Sequence, residues 1–255
     1  MMSAPCGASA TPTETVPSVS DGRGAADEAI VLHVQPYRET SLFVDLLTRQ
    51  HGRLRLLAKG ARRGRHPVSQ VLRPFNPVRV AWAGYRELPV LTAAESLDQT
   101  FSLRGTALFC GFYLCELLVR LLPAQDPHPG LHALLLHALG QLESGRDEQP
   151  ILRAFELAFL ESLGYGLRLD EDAAGQPIDP ATTYVYHPEQ GAVITDAGVR
   201  NGIRGVTLLA LAQGEWGDEQ LALEAKRLLR GVIHHLLNGR PLKSRELFKP
   251  SVSSS

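Results

Sequence analysis

The hydrophobic period of this chain changes near residue 103, and that change restricts the fold more than any other feature. Before it, short apolar runs alternate with polar residues and are separated by turn formers. After it, apolar residues recur at the 3.6-residue spacing of helices. Runs at 29–34, 42–48, 53–58, 76–83 and 88–96 predict five strands. In the third, Leu54, Leu56 and Ala58 alternate with Arg55 and Leu57, and in the fourth Val78, Val80 and Trp82 recur at every second position. Gly52 and the Gly84-Tyr85 pair supply turns, while Pro74 and Pro77 bracket Phe75 at the entrance to the fourth strand, where missing N–H groups do least harm. No stretch between these strands is long enough for a helical crossover. A small five-stranded antiparallel barrel is the expected result.

The second half predicts an all-α domain. Residues 106–122 are apolar nearly all round, as a central buried helix should be, with Glu116 and Arg120 at i, i+4 as its exposed pair. Helices are also expected over 131–142, over 149–163 opening at Pro150 and closing at Gly164, over 206–212, and over 218–237. Gly164 is expected to be a left-handed cap. A last short helix should follow Lys243, with Ser244 as its N-cap. Residues 167–203 are polar and rich in Gly and Pro, and within them 184–186 and 192–195 look like a small hairpin. The expected domains are therefore a barrel over 28–103 and a helical domain over 104–249 with an insertion at 167–203. Disordered tails are expected at 1–27 and 250–255.

Charge is distributed unevenly. Between Asp45 and Glu87 stand ten basic residues and no acidic one: Arg49, Arg53, Arg55, Lys59, Arg62, Arg63, Arg65, Arg73, Arg79 and Arg86. The whole chain sums to −1, so everything outside this window carries −11. Such a segment produces a local positive field, which suits phosphate. The competing reading is a solvated basic face with acidic residues folded beside it. Lys59, Arg62, Arg63 and Arg65 fall in the segment after the third strand, where a basic loop beside a barrel fits oligonucleotide-binding (OB) folds. Arg53, Arg55 and Arg73 extend the expected DNA-binding set. Of the aromatics Tyr37, Phe43, Phe75, Trp82 and Tyr85, most should be core, with Tyr37 and Tyr85 beside turns as candidates to face bases. Nothing resembles a base-reading helix, so recognition should be largely sequence-independent.

Signals for other chemistry are sparse. Cys6, Cys110 and Cys115 form no CxxC pair, and the latter two lie in an apolar helical pattern as buried thiols, which fits a reducing cytoplasm. His128 and His132 have zinc-like spacing, but Pro129 and Gly130 break the helix that would align them. The Asp170-Glu171-Asp172 cluster lacks the spacing of a calcium loop. No phosphate-cradling loop or nucleophile elbow occurs. Neither a catalytic site, a metal site nor a cofactor is expected. The first 27 residues lack a signal peptide's apolar run, and 107–122 is too short and too charged to cross a bilayer, so a soluble protein is expected.

Several motifs, in order, make the chain resemble the RecO family of bacterial recombination mediators. They include Tyr37-Arg38-Glu39-Thr40-Ser41, Ala58-Lys59-Gly60-Ala61-Arg62-Arg63, Leu72-Arg73-Pro74-Phe75 and Tyr113-Leu114-Cys115-Glu116-Leu117. Arg153-Ala154-Phe155-Glu156-Leu157, Leu163-Gly164-Tyr165-Gly166 and Leu242-Lys243-Ser244-Arg245-Glu246-Leu247-Phe248 complete the set. The resemblance, over about residues 28–249, implies an N-terminal OB barrel followed by a helical domain. It also implies a non-enzymatic role in recombination and repair of DNA damage: annealing single strands and loading recombinase onto coated DNA. The implied partners are single- and double-stranded DNA, the acidic C-terminal tail of single-stranded-DNA-binding protein, RecR and indirectly RecA, at the nucleoid in the cytoplasm. Many relatives carry a four-cysteine zinc site where residues 167–203 here have no cysteine, so a metal-free, degenerate zinc-ribbon-like hairpin is expected. For the tail, a cation beside an apolar groove is required. Arg153 and Phe155 on one helix, near Tyr113 and Arg120, are the expected receptor. A generic RNA- or tRNA-binding barrel and a nuclease using 170–172 are the alternatives.

Overall fold

In a computed structural model, which describes residues 25–63, 68–84 and 88–248, the alternating runs pair as β1 (Ala25–Tyr37), β2 (Ser41–Thr48), β3 (Arg53–Ala58), β4 (Pro77–Ala83) and β5 (Val90–Ser96). They close a barrel in the order β1-β2-β3-β5-β4. Four seams are antiparallel and the closing one, β3 to β5 at Leu57–Val90, is parallel. The alternation fills the interior with Ala29, Val31, Val44, Leu46, Leu54, Leu56, Val78, Val80 and Trp82. β1 begins earlier than expected: Ala25 to Asp27, assigned above to the disordered tail, pair with Trp82 to Val80. The buried Asp27 carboxylate anchors this start by accepting from the Gln50 N–H at 2.8 Å and facing His51 Nδ1 at 2.9 Å. The remaining N-terminal residues, Arg65, Tyr85, Arg86, Cys6 and the expected C-terminal tail lie outside the described residues.

The helical half consists of α1 (Gly105–Leu121), α2 (Leu131–Glu143), α3 (Glu148–Ser162), α4 (Gly205–Gln213) and α5 (Glu219–Leu236). Asp147 caps α3 through the Gln149 N–H, placing Pro150 inside the first turn, and Asp218 caps α5 through the Leu221 N–H. α3 stops at a Schellman motif: Gly164, at φ +80°, donates to Glu161 O and Tyr165 donates to Leu160 O. Cys110 and Cys115 are buried on α1, and burial pushes the Cys110 thiol up to about 12.

The two halves share one core. A bulge in β1 between Val31 and His33 turns Leu32 outward, where it joins Ile30, Leu47 and Phe75 against α1. Phe75 sits at φ +70°, a conformation that costs a non-glycine residue energy, with its N–H held by Val31 O at 2.8 Å. Its ring packs 5.0 Å from Phe112, which repays that strain by plugging the barrel into the helices.

One expectation is extended here and one corrected. The hairpin within 167–203 is present as β6 (Thr183–His187) and β7 (Gly191–Thr195), and β8 (Ile203–Arg204) joins it in a three-stranded sheet ordered β7-β6-β8. Tyr184, Ala192 and Ile203 bury against Leu208, Leu211, Ala225 and Leu229 of α4 and α5, so an apolar cluster holds the sheet down. The segment after Lys243 is a 3-10 helix, Lys243–Phe248, and its cap comes from a distant residue. The Glu116 carboxylate of α1 accepts the Lys243 N–H at 2.9 Å and the Ser244 N–H at 2.7 Å.

Candidate nucleic-acid interface and a cationic cleft

Strand parity puts Tyr37 and Gln35 of β1, Phe43 of β2 and Arg55 of β3 on the outer face of the barrel. Gln35 pairs with Phe43, and Asp45, two positions on, pairs with Arg55. The Tyr37 and Phe43 rings lie 4.3 Å apart at a 38° tilt, both half-exposed. Arg38 lies 5.1 Å from the Tyr37 ring and Arg55 lies 4.9 Å from the Phe43 ring, so each aromatic carries a cation. Arg55 also donates to Gln35 Oε1 at 3.2 Å. A half-exposed aromatic pair flanked by guanidinium groups can stack unpaired bases and attract their phosphates.

The eight described cations of the basic window separate into distinct roles. Lys59, Arg63 and Arg73 are exposed, and none lies within 4.0 Å of a carboxylate among the described residues. Arg62 is also exposed, and its guanidinium donates to the carbonyls of Arg38 and Glu39, lacing the loop after β3 to the β1–β2 turn. Arg49 and Arg79 both pair with Glu28, at 3.5 and 3.3 Å. Arg53 differs from the surface cation expected. Only 16% exposed, it donates from Nε to Leu122 O at 2.8 Å and faces Asp45 at 3.5 Å. Burial presses its pKa down while Asp45 resists. It ties the barrel to the helical domain.

Of the four expected partner-binding residues, the structure brings two together. Tyr113 and Arg153 line a cavity of about 190 Å³ with Lys226, Arg230, Arg245 and Phe248. Arg153 is no surface arginine: it is 5% exposed and bonds Glu156 Oε1 at 2.9 Å, and the Tyr113 hydroxyl donates to the same oxygen at 2.5 Å. Burial raises the pKa of Glu156 against the pull of Arg153, and burial together with Glu156 pushes Tyr113 well up. Arg153 Nε, Glu156 Oε2 and Arg245 Nη2 are buried without partners. Two unsatisfied guanidinium donors beside Lys226 and Arg230 can hold an anion, with the unpartnered Glu156 Oε2 acting against it. Phe155, 1% exposed, is core and presents no surface. Arg120 faces a different groove, beside His33 and Lys243.

Lys226 and Arg230 escaped sequence reasoning, although their i, i+4 spacing on α5, flanking the stripe of Leu221, Ala225, Leu228 and Leu229, is a legible signal. In the acidic cluster, the buried Asp172 carboxylate accepts from the Ala174 and Gln176 N–H groups, each at 2.9 Å. It is occupied as a turn builder. Among the described residues no group of three or more His, Cys, Asp or Glu is arranged to hold a metal, and no helix is long and apolar enough to cross a membrane.

A closed OB-like barrel with a basic, aromatic outer face, fused through a shared core to a helical domain with a cationic cleft, defines a two-domain α+β protein. The Recombination protein O N-terminal family model matches residues 25–100, and the Recombination protein O C-terminal model matches residues 103–246. The chain belongs to the RecO family. It is 48% identical over 227 residues to the DNA repair protein RecO of Methylococcus capsulatus, covering 88% of this chain and 93% of that one. The DNA repair protein RecO of Aromatoleum aromaticum is 45% identical over 225 residues, 87% of this chain and 93% of its own. That of Nitrosospira multiformis is 41% identical over 236 residues, 91% and 98% respectively.

Proposed function

We propose that this protein is a recombination mediator in DNA repair. The barrel binds single-stranded DNA, and duplex DNA through the same cations, and brings complementary strands together. The helical domain receives the acidic C-terminal tail of single-stranded-DNA-binding protein, and the protein works with RecR to load RecA onto coated DNA at the nucleoid. It needs no cofactor and catalyses no bond change. The observation that carries this reading is the outer face of the barrel, where Tyr37 and Phe43 lie together beside Arg38 and Arg55, with Lys59 and Arg63 exposed on the loop after β3 and Arg73 exposed before β4. The domains assigned to the two ligands are 28–103 and 104–249.

The tail assignment is supported by the unpartnered Arg153 Nε and Arg245 Nη2 in a cleft walled by Tyr113 and Phe248. A terminal carboxylate with apolar neighbours satisfies both halves of such a site. Annealing of complementary strands coated with their binding protein tests the whole reading. The protein should accelerate it, and an acidic tail peptide should compete. Failure of the protein to bind single strands with a salt-dependent affinity would overturn it. Stacking is indifferent to the sugar, so parallel titrations with RNA of the same sequence decide between this reading and an RNA-binding module.

A further inference from the structure

We infer that a single strand bound on the barrel does not stop at the aromatic pair. It continues along the outward positions of β1 into the groove between barrel and helical domain, where Arg120 and Lys243 take its phosphates. This rests on the DNA-binding reading above and extends it to a second stretch of surface.

Three observations place the track. First, Tyr37, Gln35 and His33 succeed one another at the outward positions of β1, a run of about 13 Å at the rise of a strand. Second, the bulge after Val31 ends that alternation by turning two consecutive residues outward. Leu32 goes beneath α1, and His33, with its side chain 57% exposed, goes to the rim of a groove. Third, the groove has about 370 Å³ of free volume and is lined by the apolar Leu32, Phe112 and Val119 together with Arg120 and Lys243.

The electrostatics favour a polyanion at the groove. Two carboxylates beside it are already engaged, and the exposed Glu39 stands at the far, aromatic end. Asp45, 2% exposed, lies between Arg53 at 3.5 Å and His33 at 3.6 Å. Glu116 gives both oxygens to the Lys243 and Ser244 N–H groups, and Arg120 meets it only at 3.6 Å. Lys243 uses its backbone N–H in that cap and leaves its ammonium exposed. Cations beside apolar surface accommodate phosphate and base together, as the grooves of single-strand-binding proteins do. Arg120 thereby serves DNA rather than the protein tail, whose cleft lies across the Lys243–Phe248 helix.

The test uses the full chain with labelled oligothymidylates of increasing length, titrated at several salt concentrations. A short oligomer covers only the barrel face, and a longer one reaches the groove. Arg120→Gln with Lys243→Gln should leave short-oligomer affinity unchanged and remove the gain from lengthening. The salt slope for the long oligomer should fall by about 1.4, the value for two phosphates on a single strand. Tyr37→Ala with Phe43→Ala should weaken both lengths about tenfold or more. As a measurement that needs no variant, a photoreactive pyrimidine placed near one end of the long oligomer should crosslink wild-type protein within 105–121 or 243–248. Unchanged long-oligomer affinity and slope in the Arg120, Lys243 variant, or adducts confined to the barrel, would overturn the track while leaving the barrel as a DNA site. A wild-type protein that binds neither length would instead refute the DNA-binding reading itself.

Discussion

Replacing Glu116 by glutamine removes a single charge and should detach a segment 127 residues away in sequence. Glu116 Oε1 and Oε2 accept the N–H groups of Lys243 and Ser244 at 2.9 and 2.7 Å. Hydrogen bonds to a charged group each contribute about 1.5–3 kcal/mol net, and a glutamine can satisfy only one of the two donors. We expect a loss of about 2–3 kcal/mol at neutral pH. Burial raises the pKa of Glu116, but the bonds from Ser244 and Lys243, with Arg120, outweigh it and leave the value below the ordinary 4.5. The sign follows from linkage: the stabilisation is complete above about 4.5, where the carboxylate is ionised folded and unfolded, and disappears as pH falls through the lowered folded value. Urea unfolding of wild type and Glu116→Gln should therefore differ at pH 7 and converge in acid. Amides of 243–248 should exchange faster in the variant, and affinity for an acidic tail peptide should drop because Arg245 and Phe248 sit on this segment. Parallel stability curves from neutral to acid pH, with unchanged exchange in 243–248, would refute the cap.

Gly164→Ala should cost on the order of 1 kcal/mol in thermal unfolding from the φ of +80° alone, since a Cβ there meets nothing within 4 Å, and DNA affinity per folded molecule should not change. Gly52→Ala should be worse, about 2 kcal/mol or more, because at φ +68° its Cβ would lie 2.2 Å from the backbone oxygen of Asp126; thermal unfolding measures it. Arg53→Met should lower the urea midpoint by the equivalent of about 3 kcal/mol, by stranding the buried Asp45 carboxylate and cutting the bond to Leu122 O. The salt slope of DNA binding should hold in this variant, because Arg53 is not a surface cation.

Much of the architecture was legible in the sequence because it rests on local periodicity. Alternation at Leu54, Leu56 and Ala58 and at Val78, Val80 and Trp82 determined the inward face of the barrel, since side chains on a strand change sides at every residue. The glycine after α3 determined its stop, because αL geometry is cheap only there. The charge imbalance marked the segment that supplies the exposed cations Lys59, Arg62, Arg63 and Arg73. Tertiary structure decided what each cation does. Arg53, Arg55 and Arg79 look alike in sequence, yet one joins domains, one lies over Phe43 and one pairs with Glu28. It also decided that Arg153 is buried against Glu156 and that Glu116 caps residues 243 and 244. Such pairings join residues far apart along the chain, where no period or propensity operates. Charge and hydrogen bonding act through space, so which partner a side chain finds is determined only when the barrel and helices close on one another.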